Sequence, residues 1–173
     1  MSKRAEKHAK SSYFTFLWTN ECCQNMIDAG FDGIALDCAA GSKFLERGCG
    51  ARDFLYILSF FEGETYLIGR MRVKKVWQRA EYDKTHDAPD LWEGSEVAEG
   101  EEGTLMQFDR IFRPWVLGDL VFTDWNGNEF KRLKLTRDGN LTSAMSIRSV
   151  RRITPNSAQL LDRILAEEYQ AHG

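Results

Sequence analysis

Asp124, Glu129 and Lys131 are the first residues with chemistry to offer, an aspartate followed at short range by Glu-x-Lys, as in metal-dependent nucleases. Between the two acids stands Asn126-Gly127, a dipeptide that favours a tight hairpin turn with positive φ. The carboxylates are then expected at a solvent-exposed tip with little shielding for Mg²⁺, so turn chemistry is the first reading and a metal-dependent nuclease a lesser alternative. His8, His86 and His172 fall near the two ends and in a polar stretch, which leaves no core imidazole to act as general base. Cys22, Cys23, Cys38 and Cys49 form no CxxC pair. Neither a zinc site nor a disulfide frame is indicated, and reduced cytosolic thiols are expected. Cys49, between Gly48 and Gly50, reads as a partly buried, inert thiol. No catalytic residue, cofactor or metal is expected, and the chain is not read as an enzyme.

Binding chemistry is better represented. The net charge of −3 argues against a protein that coats nucleic acid through bulk electrostatics, but the charges are unevenly placed. One basic group holds Arg70, Arg72, Lys74, Lys75 and Arg79; a second Lys131, Arg132, Lys134 and Arg137; a third Arg148, Arg151 and Arg152. Acids collect at Asp90, Glu93, Glu96, Glu99, Glu101 and Glu102 among glycines, as in a solvated loop. Arg70, Arg72, Lys74, Lys131, Lys134 and Arg148 are the candidates for holding phosphates. Solvated strand faces, paired with an acidic loop that folds back over them, explain the same residues.

The elements that must position these groups read as an α+β chain. Alternating aromatics predict a strand over 13–18, and 21–29 reads as a helix ended by Gly30. Residues 53–61 are apolar on both alternating faces, the pattern of a strand buried on two sides. Glu62-Gly63-Glu64 turns that strand into 65–77, where Gly69 marks a bulge and Arg70, Arg72 and Lys74 share one face. Further strands are expected over 105–112, 120–125, 129–136 and 141–147, with Asp138-Gly139 at the second turn. Thr154-Pro155 opens a closing helix with an apolar stripe of Ala158, Leu161, Ile164 and Leu165. With 173 residues and no repeat, one domain is expected over 1–173, with 1–11 a flexible tail and 80–103 a mobile acidic insertion. No apolar run is long enough to cross a bilayer and no secretory signal is read at the start, so a cytoplasmic, non-membrane protein is expected.

The segment Gly50-Ala-Arg-Asp-Phe-Leu-Tyr-Ile-Leu58 followed by Tyr66-Leu-Ile-Gly-Arg-Met-Arg-Val73 resembles the PUA-like superfamily, in particular its EVE-like branch, over about 13–121. The resemblance implies a curved, mostly antiparallel barrel with flanking helices. It also implies a pocket for one nucleobase, often a modified one, in DNA or RNA. Phe16-Leu17-Trp18-Thr19-Asn20 stands where that family has a tryptophan followed by a small polar pair, so Trp18 and Asn20 carry over. Ser59, Phe60 and Trp115 complete the candidate pocket, each ring being equally explained as core. The expected function is nucleic-acid binding, with a protein-interaction domain that uses the basic sheet face as the alternative.

Overall fold

The computed structural model describes residues 10–86, 94–131 and 133–171. The expected tail up to residue 9, His8, His172, Asp90, Glu93 and Arg132 lie outside the described residues. Eight strands form one open sheet: β1 (Tyr13–Trp18), β2 (Cys38–Gly41), β3 (Phe54–Phe61), β4 (Glu64–Gln78), β5 (Glu96–Glu101), β6 (Phe122–Thr123), β7 (Glu129–Phe130) and β8 (Val150–Ile153). Their order is β2-β5-β4-β3-β1-β8-β6-β7, with β1 and β3 parallel and the other neighbours antiparallel. Three helices, α1 (Asn20–Asp28), α2 (Arg79–Thr85) and α3 (Pro155–Ala171), complete the α+β architecture.

Local chemistry explains the best-defined elements. Thr19 caps α1 by accepting a hydrogen bond from the Cys22 N–H, and Gly30 beyond its end takes φ +83°. Glu62 and Gly63 both have positive φ, the twist that lets a two-residue turn join β3 to β4 without splaying them. The register of that pair shifts beside Gly69, the bulge its glycine signals. At the entry to β3, Asp53 accepts from the N–H groups of Ser12 and Gly50 at 2.8 and 2.9 Å, which ties the start of β1 to the turn before β3.

The sheet is buried on both faces at its centre. Phe14, Phe16, Trp18, Leu55 and Ile57 pack under α1 and the segment that follows it. Tyr56, Leu58 and Leu67 face the opposite way, toward Phe122, Ile147 and the α3 stripe of Ala158, Leu161 and Leu165. Tyr56 and Arg70 both donate to the same Asp162 oxygen at 2.8 Å, and Arg70 lies over the Phe54 ring. The face of β4 expected to be wet and basic therefore carries Arg70 bonded to α3.

Several expectations need correction. The acidic segment is not a solvated insertion from end to end: Glu96 to Glu101 is strand β5, and the buried Glu96 carboxylate accepts from the Phe44 and Leu45 N–H groups. Residues 105–112 run beside β4 through one isolated bridge, Tyr66 with Ile111, and scattered main-chain hydrogen bonds instead of a continuous ladder. Strands over 120–125 and 129–136 shrink to two residues each, and 141–147 ends in a 3-10 turn at Ala144–Ile147, with the true strand, β8, beginning at Val150.

Candidate functional site

The proposed base pocket does not open where the sequence places it. Trp18 is 2% exposed, beside Ser59 in the β1–β3 register and stacked on Phe108. Ser59 is buried against the Cys23 thiol. Asn20 is exposed at the start of α1, and Phe60 joins the core on the other face of β3. Trp115 is 59% exposed but belongs elsewhere: its N–H donates to the Gly139 carbonyl, and its indole lies so close that a Cβ on Gly139 would meet it at 2.5 Å. Trp18 and Ser59 come together, but inside the core.

The phosphate candidates are likewise divided. On β4, Arg70 is bonded to Asp162, while Lys74 lies 3.8 Å from Glu99. Neighbouring members of that group are also engaged, with Lys75 Nζ 3.6 Å from the centre of the Trp77 ring and Arg79 paired with Asp83. Arg72 is half-buried. Lys131, Lys134 and Arg148 are exposed on the β7–β8 side, with β3, β1, β8 and β6 between β4 and β7 in the sheet order.

Two clefts of about 490 and 460 Å³ open on the described surface, and neither is lined by those candidates. The larger lies at the start of α3, where Asp119 and Glu129 set a mostly acidic border with Arg163 opposite. Thr154 and Ser157 there are satisfied by each other and by Val121.

The smaller cleft has the opposite character. It lies where β6 leaves β8 after a single paired position, Phe122 with Ile153. Arg151 and Arg152 come from β8, Arg47 arrives from the loop after β2, and Trp125 and Phe130 come from the β6–β7 hairpin. Trp125 is 70% exposed, the most open of the large apolar side chains described. Arg47 Nε is buried with no hydrogen-bond partner among the described residues. Arg152 reaches the Ser12 hydroxyl at 3.0 Å. Phe130 stacks on Phe122 at 6.2 Å, which fixes the floor between the two short strands.

One acid, Asp124, belongs to this cleft, and the turn engages it. Its Oδ1 accepts from the N–H groups of Asn128 and Asn126 at 2.8 and 2.9 Å, and Asn128 Nδ2 donates to the other oxygen. These bonds, led by that from Asn128, hold its carboxyl below the usual aspartate range. Glu129 lines the other cleft, so the acids of the nuclease-like motif face different hollows and do not converge. Among the described residues no group of three or more acids, histidines or cysteines is placed to hold a metal ion.

The thiols are placed for inertness. Burial, reinforced for Cys22 by Cys23 and for Cys38 by Asp37, pushes each of these two up to about 12, and Cys49 is raised as well.

The sequence isolates Arg151 and Arg152 as part of a basic group but gives no sign that Arg47 meets them. Trp125 carries only its place beside a turn dipeptide, where an indole finds little to cover it. No helix among the described residues is long and apolar enough to cross a membrane. No family model matches the chain, and no curated protein matches it.

Proposed function

We propose that this chain is a nucleic-acid-binding module and that contact is made at the Arg47–Trp125–Arg152 cleft. The observation that carries this reading is that Arg47, Arg151 and Arg152 line one concave site together with an exposed indole. Guanidinium forks suit phosphate oxygens in charge and geometry, and an indole offers a stacking surface to a base. A negative net charge is compatible with this, since the favourable field is local to the cleft. The cleft also has room for a base extruded from its stack, modified or not, in DNA or RNA.

The test is titration of labelled DNA and RNA oligonucleotides, with and without modified bases, with heparin as a competing polyanion. Binding that heparin displaces only in excess, and that differs among bases, supports the module; affinity for heparin alone would remove it.

A further inference from the structure

The β6–β7 hairpin is a wall of both clefts: Val121 and Glu129 line the one at the start of α3, while Phe122, Asp124, Trp125 and Phe130 line the arginine cleft. Its root is fixed. The Val121 N–H donates to the Ser157 hydroxyl at 2.8 Å, the Val121 carbonyl accepts from the Thr154 N–H at 3.0 Å, and Phe122 is buried with Phe130 stacked on it. Its tip is one piece, because the hydrogen bonds that residues 123–128 make to described residues all lie within the hairpin, in the β6–β7 pairs and around Asp124. Sideways support is slight: the hairpin is matched to β8 at a single position, Phe122 with Ile153, and residues 125–129 are all exposed. A stiff tip on a pinned root, with few contacts at its flank, can move as a unit at small cost.

Resting on nucleic-acid binding at the arginine cleft, we infer that the β6–β7 hairpin is a flap that closes over that cleft when the ligand is bound. The tip swings about Phe122 and Phe130 toward β8. Because one wall serves both hollows, this narrows the arginine cleft and widens the one beside α3. A ligand shifts such an equilibrium only by contacts that it makes in one state and not in the other. Here that contact is Trp125, the most open of the large apolar side chains described, which the swing lays against a chain already held by Arg47, Arg151 and Arg152.

The discriminating experiment attaches nitroxide labels at Asn126→Cys, on the exposed tip, and at Asn156→Cys, on the far rim of the cleft beside α3. The four native thiols are buried or half-buried and their thiolates disfavoured, so labelling is directed to the two new cysteines. The distance between the labels is measured by double electron–electron resonance in the full chain, alone and saturated with a single-stranded DNA of about ten nucleotides. The distance should lengthen by roughly 5 Å on binding, about the spacing between neighbouring strands. Trp125→Ala, saturated with the same DNA, should keep the distance of the free chain. One distance for the free and the bound chain, or full lengthening in Trp125→Ala, would overturn the flap while nucleic-acid binding stands; no binding of the DNA would overturn both.

Discussion

Asp162 shows how a single side chain can decide whether nearby cations serve structure or ligand. Its carboxylate takes hydrogen bonds from the buried Tyr56 hydroxyl and from Arg70, so it fastens α3 to β3 and β4 together. Asp162→Ala leaves the Tyr56 hydroxyl with the longer bond to the Ala158 carbonyl, at 3.3 Å, and leaves Arg70 without its acceptor. Because that ion pair is partly exposed and the hydroxyl keeps one acceptor, a destabilisation of about 0.5–1.5 kcal/mol is expected in urea unfolding. Oligonucleotide affinity should not change, because Arg70 lies outside the cleft. Asp124 gives a prediction of the opposite kind. Its folded carboxyl lies below its ordinary value of 3.8, so its contribution to the hairpin is complete above that pH and is lost as pH falls through the lower folded value. Amide resonances of Asn126 and Asn128 followed during acidification should report the turn loosening only below the ordinary range.

At the scale of elements, close approach of backbone sets the strictest demands. A Cβ on Gly103 would lie 1.7 Å from the Leu36 carbonyl oxygen, with no flexible side chain to give way. Gly103→Ala should therefore cost about 3 kcal/mol or more, read from its denaturation midpoint. What was legible in the sequence followed the same division between local and distant causes. Thr154-Pro155, Glu62-Gly63 and Asn126-Gly127 carry their own turn or cap chemistry, and each does what its residues dictate. The two-sided apolar run of β3 likewise identified the centre of the core. β2 and β5 were not legible, because Cys38–Gly41 and Glu96–Glu101 have weak strand propensity and exist through distant pairing, β5 with β4 and β2 with β5. The cleft fails to show for the same reason: Arg47, Trp125 and Arg152 meet only once β1, β6 and β8 are in register.

For the molecule as a whole, the two-sided core decides where a ligand can be met. With hydrophobic clusters on both faces of the central strands, the face of β4 first expected to bind is bonded to α3 through Arg70 and Asp162, and Trp18 is enclosed. The open ground is at the side of the sheet, where short strands diverge and leave charged and aromatic groups uncovered. Binding there should be electrostatic in its salt response and local in its residue dependence. The most direct measurement is the affinity of a labelled oligonucleotide across a range of salt for the native chain, Arg47→Ala and Arg152→Ala. Log affinity should fall linearly with log salt, and each substitution should weaken binding and make the slope shallower by roughly one. Affinity that is indifferent to salt, or slopes unchanged in both variants, would contradict a nucleic-acid site at this cleft.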